Sequence, residues 1–269
     1  MHPILFEING FPIYTYGVLL AAAYLLGLQF ALMRARSRGL DPNRVMDLGI
    51  WIIVSALLGA KLLLLIVEFD TFGRNPRELL TIVRSGGVFY GGLILAVAVA
   101  LFYLRRHRMP MWTVTDVFAP GIALGHVIGR LGCLFAGCCF GKPTNVPWAV
   151  TFTNEFAAAN VGTPLHVPLH PTQLYEAGAE LVILLALLAT ERRGRPFPGR
   201  TFWSYMLAYA VSRFIIEFYR GDPRGTIAAF STSQFVSLVL VPLSIVMLIV
   251  LSRRRSPEPA LAARRAKAA

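Results

Sequence analysis

The residues best suited to chemistry in this chain are polar side chains that recur at helical spacing inside apolar segments. In the fourth such segment His126, Arg130 and Cys133 follow an i, i+4, i+7 pattern, which puts them on one face of a helix. A charge inside a membrane span is costly unless it is paired or hydrated. Because its planar fork suits bidentate binding, Arg130 calls for a carboxylate or a phosphate.

Two later apolar segments carry matching stripes of polar residues. The first has Gln173, Glu176 and Glu180 at i, i+3, i+7, and the second has Tyr209, Arg213, Glu217 and Arg220. Two interpretations stay open. One is an arginine and glutamate network that only fixes the register of the helices. The other is a polar cavity in which Arg130 and Arg213 clamp a phosphate while Glu176 and Glu217 orient them.

All three cysteines of the chain lie in "GRLGCLFAGCCFG", at the end of the fourth segment. A zinc site would need four ligands, which Cys133, Cys138 and Cys139 with His166 or His170 would supply. A disulfide between Cys133 and Cys138 is a second alternative. We favour a third, in which small side chains pack a tight turn, and we expect no metal ligands.

The elements that must position these side chains are long apolar helices. The chain has 269 residues, of which 56% are hydrophobic and 15% charged, and its mean hydropathy is +0.60. A helix crosses a bilayer with about 20 apolar residues. Seven segments qualify, at 13–33, 46–68, 87–104, 112–135, 172–190, 201–219 and 232–252. The sequence therefore predicts an all-α integral membrane protein with seven transmembrane helices.

The net charge of +12 is best explained by topology. Most of the cations lie in alternate loops, around Arg34–Arg44, Arg105–Arg108 and Arg192–Arg200 and in the tail from Arg253. By the positive-inside rule these loops are cytoplasmic, so the N-terminus is outside and the C-terminus inside. The charge thus predicts contact with anionic membrane lipids, and we expect no nucleic acid as a partner.

Residues 1–252 are predicted to form one transmembrane catalytic domain, followed by a basic cytoplasmic tail at 253–269. Within that domain, residues 72–86 predict an amphipathic helix on the outer interface. Residues 136–171 are predicted to form a small cap on the outer face, and this cap is predicted to contain β structure.

Five motifs, in order along nearly the whole chain, resemble the bacterial prolipoprotein diacylglyceryl transferase family. They are "YTYGVLLA", "SGGVFYGGLI", "GRLGCLFAGCCFGKPT", "HPTQLYE" and "SRFIIEFYRGDPRG". The resemblance implies a multi-pass enzyme of the bacterial inner membrane. It implies transfer of the diacylglyceryl group of phosphatidylglycerol to the lipobox cysteine of preprolipoprotein signal peptides, which releases glycerol phosphate. No cofactor is implied.

The resemblance and the polar stripes together give the expected site residues. Arg130 and Arg213 match the family's essential arginines, and Tyr16, Gly141 and Glu217 match further functional positions. The expected catalytic residues are Arg130, Arg213, Tyr16, Tyr90, His126 and Glu176. The expected substrate-binding residues are Arg130, Arg213, Glu217, Gly141, Gln173 and Tyr175.

This chain departs from the common family pattern at four positions. Many members have Asn at the positions of Cys133 and Ala136, Glu at Cys138, and His at Tyr90, where the His is a proposed base. In this chain His126 or Glu176 is a candidate to replace that base. Two alternatives to the transferase stay open, a paralogue on the same scaffold with another acceptor or no activity, and a membrane transporter or thiol-redox protein.

Overall fold

The computed structural model describes residues 2–69, 87–194, 197–223, 225–227 and 229–254. The predicted amphipathic helix at 72–86 and residues 255–269 of the predicted tail lie outside the described residues.

Seven long helices coincide with the seven predicted apolar segments in the part of the chain that the structure describes. They are α1 (Thr15–Ser37), α2 (Pro42–Val67), α3 (Phe89–Arg106), α4 (Met111–Ala136), α6 (Thr172–Arg192), α7 (Arg200–Glu217) and α8 (Thr232–Arg253), with the short α5 (Glu155–Val161) between α4 and α6. Six of the long helices have the length and apolar composition of a membrane span. The exception, α7, has 18 residues and carries Arg200, Arg213 and Glu217. The structure therefore supports a multi-pass membrane protein, and the seventh span stays a prediction.

Local sequence signals explain where several helices begin. Asp41 caps α2 by accepting the Asn43 amide at 2.9 Å, and Pro42 fits the first turn of the helix. At α8, Ser231 and Gln234 form a reciprocal capping box. Side chains at these positions replace the hydrogen bonds that the first turn of a helix lacks.

In the described part of the chain, three two-stranded antiparallel sheets interrupt the helices. The first pairs β1 (Ile4–Ile8) with β2 (Phe11–Tyr14), the second β3 (Val150–Thr151) with β4 (Pro168–Leu169), and the third β5 (Thr226–Ile227) with β6 (Phe230–Ser231). The second sheet lies in the segment predicted to contain β structure, and Phe140, Phe152 and Leu169 form a small buried core there. That segment therefore has a packed interior of its own.

The chain forms two compact units, Met1–Phe30 with Thr115–Ala269, and Ala31–Val114. In the first unit α4, α6 and α7 share a core of Ala119, Ala123, Ile183, Leu184, Leu187 and Tyr205. Asp116 joins the first turns of α4 to the start of α7, because its carboxylate accepts hydrogen bonds from the backbone amides of Gly199 at 2.7 Å and Phe202 at 2.9 Å. The charge pattern predicts that this end of α4 is cytoplasmic. In the second unit α2 packs along α3.

Glycines let helix backbones approach closely in both units. In the first unit, a Cβ at Gly27 of α1 would lie 2.7 Å from the Gly121 carbonyl of α4, and one at Gly125 would lie 3.1 Å from the Ala23 carbonyl. The small residues of α4 thus serve helix packing. In the second unit, a Cβ at Gly92 would lie 2.7 Å from the Ala56 carbonyl of α2. The glycines after Tyr90 therefore accommodate a neighbouring helix.

Candidate functional site

Glu176 lies at the centre of a cluster of three arginines. It sits in the second turn of α6 and is 3% exposed. Its Oε2 lies 2.7 Å from Arg130 Nη2, while its Oε1 lies 2.8 Å from Arg220 Nη1 and 3.4 Å from Arg213 Nη1. One buried carboxylate therefore links α4, α7 and the segment that follows α7.

Further acidic groups balance the arginines. Arg213 Nη2 contacts Glu217 Oε2 at 2.5 Å, one helical turn away, and donates to Ser233 Oγ at 3.0 Å. Arg220 holds both oxygens of Asp222, each at 2.9 Å. Three guanidinium groups thus face three carboxylates, which is how buried charges are retained at tolerable cost.

Arg130 is the arginine of this cluster that is best placed to meet a ligand. Its side chain is 16% exposed, whereas those of Arg213 and Arg220 are 6% and 2% exposed. A guanidinium has five N–H donors. Arg130 contacts His126 through its Nε group and Glu176 through its Nη2 group. Arg130 is therefore held in place by Glu176 and His126 while part of its guanidinium group stays exposed.

His126 connects this arginine to a second buried acid. Arg130 Nε donates to His126 Nε2 at 3.2 Å, and His126 Nδ1 lies 2.9 Å from Glu180 Oε1. These partners assign the proton of the neutral ring to Nδ1 and the lone pair to Nε2. The Tyr209 ring lies beside the imidazole, with 5.4 Å between ring centroids. The predicted stripes on α4 and α6 therefore meet face to face.

The loop after α4 is fixed by the first turn of α6. Thr172 Oγ1 donates to the Cys139 carbonyl and Gln173 Nε2 to the Cys138 carbonyl, both at 2.7 Å. Gln173 is fully buried. The structure thus shows Gln173, predicted to bind substrate, as an anchor of the cysteine loop.

The three cysteines form a compact group of free thiols. Their sulfur atoms all lie within 4.8 Å of one another. Hydrogen bonds from the Cys133 and Cys138 thiols lower the pKa of the Cys139 thiol, burial opposes them, and the charges of Arg220 and Arg130 add to the lowering. The two arginines thus act electrostatically on the cysteine loop.

Gly141 occupies a crossing of backbone segments that leaves no room for a side chain. A Cβ there would lie 2.5 Å from His170 Cβ and 2.9 Å from the Tyr219 carbonyl. The Gly141 amide donates to the His170 carbonyl at 3.1 Å, and Gly141 pairs with Arg220 as a β-bridge. This crossing holds Arg220 against Glu176.

Tyr175 belongs to a hydrogen-bonded group next to this crossing. Its hydroxyl accepts from Trp148 Nε1 at 2.7 Å and lies 3.1 Å from His170 Nδ1. A cavity of about 360 Å³ lies between the end of α7 and the start of α8. It is lined by Lys142, Glu217, Phe218, Arg220, Asp222, Ala229, Ser231 and Gln234.

The two predicted catalytic tyrosines fall in different units. Tyr16 lies in the first turn of α1 and packs against Gly132 of α4, so it shares the first unit with the arginine cluster. Tyr90 lies in the first turn of α3, in the second unit, where its ring meets Phe89 edge to face at 5.7 Å. The catalytic roles of both tyrosines stay predictions.

Arg220, Asp222 and Glu180 are members of the cluster that the sequence-based set of site residues omits. Arg220 and Glu180 did lie on the predicted stripes, and Asp222 follows Arg220 in "RGDP". One sequence signal could have identified Arg220 as a site residue. It continues the spacing of Arg213 and Glu217 just past the end of α7.

Comparisons with known proteins find relatives in a single transferase family. The family model for prolipoprotein diacylglyceryl transferase matches residues 3–250. The phosphatidylglycerol–prolipoprotein diacylglyceryl transferase of Clostridium tetani is 37% identical over 245 residues, which cover 91% of this chain and 96% of that protein. Similar proteins with this name occur in Clostridium perfringens, at 33% identity over 90% of this chain and 92% of the relative, and in Synechococcus elongatus, at 32% identity over 92% and 86%.

Proposed function

The chain belongs to the prolipoprotein diacylglyceryl transferase family, and we propose on this basis that it transfers the diacylglyceryl group of phosphatidylglycerol to prolipoprotein. The acceptor is the lipobox cysteine of a preprolipoprotein signal peptide. Its sulfur forms a thioether with the glyceryl carbon, and glycerol phosphate leaves. The observation that carries the proposal in the structure is the partly exposed Arg130 held by buried Glu176.

The chemistry requires stabilisation of a leaving phosphate. When the thiolate attacks the terminal glyceryl carbon, the carbon–oxygen bond breaks and negative charge grows on the phosphate oxygen. Donors that are already in place stabilise such charge without reorganising. Arg130 supplies this contact because it retains donors and exposure, and Arg213 supports it from within the cluster.

Glu176 acts through the arginines. Since it contacts three guanidinium groups, it holds them at fixed spacing against their mutual repulsion. With both oxygens engaged, Glu176 is the weaker of the two candidates for the base. Its proposed role is to position Arg130 and Arg213.

His126 is the better candidate to accept the proton of the acceptor thiol. Its Nδ1 faces Glu180, which stabilises the imidazolium that forms. Its Nε2 lone pair meets Arg130 Nε. In the proposed reaction this lone pair takes up the thiol proton, while Arg130 stays in place on Glu176. Tyr16, which packs against Gly132 at the end of α4, is proposed to border the reacting groups. The proposed catalytic role of Tyr90 rests on the family resemblance alone.

Glu217 is proposed to bind the head of the lipid. It lines the cavity of about 360 Å³ together with Lys142 and Asp222. Carboxylate oxygens accept hydrogen bonds from hydroxyl groups, and the head of phosphatidylglycerol ends in glycerol hydroxyls. Gly141 shapes this region, and Tyr175 is proposed to border the substrate.

The proposed setting is the bacterial inner membrane, with the N-terminus outside, the C-terminus in the cytoplasm and the site in the outer half of the bilayer. Lipid tails enter between helices from the side. Phosphatidylglycerol, signal peptides and membrane lipids are the partners, and the six apolar helices support this setting.

The test follows both products of one reaction. Purified protein is incubated with phosphatidylglycerol and a lipobox peptide, and glycerol phosphate release is compared with peptide lipidation. We expect the two to appear in equal amounts, and neither to appear with a peptide in which Ser replaces the lipobox cysteine. Glycerol phosphate release that is the same with the Ser peptide would indicate a lipid hydrolase instead.

A further inference from the structure

The three cysteines have the arrangement of metal ligands. Their sulfur atoms lie within 4.8 Å of one another, at the end of α4 and in the loop after it. Cys133 is 8% exposed. A tetrahedral zinc site with Zn–S bonds of about 2.3 Å places its sulfur atoms about 3.8 Å apart. The spacing of the thiols fits a shared metal ion after a small contraction.

The loop holds the cysteines in this arrangement through its backbone. The carbonyls of Cys138 and Cys139 accept hydrogen bonds from Gln173 and Thr172, both buried on α6. Cys139 itself has a φ of +62°, a left-handed conformation that few residues other than glycine adopt. The convergence of the thiols is therefore built into the fold.

We propose that Cys133, Cys138 and Cys139 bind one zinc ion as three thiolates and leave its fourth position for the thiol of the acceptor peptide. The inference rests on the transferase function proposed above. Among the described residues, no histidine or carboxylate joins the group. Three protein ligands with one open position are the pattern of catalytic zinc sites, whereas structural sites are closed by four.

Charges next to the cluster favour this state. A zinc ion with three thiolates carries a net charge of −1. The Cys139 sulfur interacts with the guanidinium groups of Arg220 and Arg130. The positive charge proposed to hold the leaving phosphate thus also acts on the metal site.

The reaction balances with zinc as a binding group only. The acceptor thiol binds the open position and loses its proton to His126, because a coordinated thiol is deprotonated far more easily than a free one. Its sulfur then forms a bond to the glyceryl carbon, and the carbon–oxygen bond breaks with its electron pair on the phosphate oxygen. The neutral thioether is a poorer ligand and leaves. The cysteines that the sequence suggested as turn packing thereby gain a chemical role.

The test measures metal binding separately from activity. Full-length protein, purified in detergent with reduced thiols, is loaded with zinc, and the metal bound per chain is measured. We expect one zinc per chain for the wild type and for the control Ala136→Ser, and none for Cys138→Ser. Absence of stoichiometric zinc in the wild type, or its retention in Cys138→Ser, would overturn the site.

Cobalt substitution tests the open position. In the Co²⁺-loaded protein, a lipobox peptide is expected to intensify the thiolate-to-cobalt absorption, while the peptide with Ser in place of Cys leaves it unchanged. A spectrum that does not respond to the cysteine peptide would contradict acceptor binding at the metal.

Chelation separates this inference from the transferase function. Lipidation is expected to fall to background when zinc is removed and to return when zinc is restored. Lipidation that is equal with and without zinc overturns the metal site and leaves the transferase intact. Zinc-loaded protein that binds the peptide sulfur but forms no adduct overturns the transferase function.

Discussion

Arg130 Nη2 of α4 and Glu176 Oε2 of α6 are 2.7 Å apart, with the carboxylate buried and the guanidinium partly exposed. A buried charge is retained when its partners replace the water that it has lost. Here the buried partner is held by two further arginines, so the exposed one has a fixed position. Glu176 therefore holds Arg130 in position, and Arg130 is the residue of the pair that can bind a ligand.

Replacing Glu176 by Gln should disable the whole cluster. The change keeps the size of the side chain but leaves three guanidinium groups without their common counter-charge, and breaking a buried ion pair costs about 3–5 kcal/mol. We expect a lower apparent unfolding temperature and a loss of lipidation by at least about 10²-fold. The control is Glu155→Gln, at an exposed residue of α5. Equal behaviour of the two variants would show that the cluster is dispensable.

Replacing Arg130 by Lys should reduce catalysis without unfolding the protein. Lysine keeps the charge but lacks the fork that contacts Glu176 and His126 together. The rate of lipidation should fall by about 10²–10³-fold, the usual effect of losing one donor to a developing oxyanion. Arg44→Lys, whose side chain is 52% exposed, is the matched control. An Arg130→Lys enzyme with the wild-type kcat would exclude Arg130 as the phosphate ligand.

Replacing His126 by Gln should make the rate depend on ionisation of the acceptor thiol by solvent. Gln still offers polar atoms near Arg130 but cannot take up a proton. General base catalysis contributes about 10²–10⁴-fold, so we expect a loss in this range at pH 7. The ionised fraction of the acceptor thiol grows with pH, so the rate of the variant should recover as the pH rises. A loss that is the same at all pH values would instead assign His126 a purely structural role.

Replacing Gly141 by Ala should destabilise the site, and replacing Gly178 by Ala should not. A Cβ at Gly141 meets His170 Cβ at 2.5 Å and the Tyr219 carbonyl at 2.9 Å, whereas one at Gly178 has no neighbour within 4 Å. Overpacking costs about 1–3 kcal/mol, while alanine in place of glycine in a helix favours folding by about 0.5–1 kcal/mol. Thermal unfolding in detergent measures both. A Gly141→Ala protein as stable as Gly178→Ala would refute the crowded crossing.

Much of the fold was predictable because long apolar segments carry a strong signal. Each predicted span coincides with a helix, and the stripes of α4, α6 and α7 followed from helical spacing alone. The pairing of Arg130 with Glu176 depends on how two helices pack, which spacing within one helix does not determine.

The rest of the site depends on backbone outside the helices. Arg220 reaches Glu176 because Gly141 and Arg220 form a β-bridge between two loops. Gln173 fixes the cysteine loop through a carbonyl, a contact that gives no sequence pattern. Asp116 anchors α7 by accepting hydrogen bonds from backbone amides, a contact that likewise gives no sequence pattern.

The most direct test of the central claim is the mass of a lipobox peptide after incubation with phosphatidylglycerol and the purified wild-type protein or its Arg130→Lys variant. The peptide should gain one diacylglyceryl group at its cysteine with the wild type and far less with the variant. No mass gain with the wild type, under conditions in which a related transferase modifies the same peptide, would contradict the function proposed for this chain.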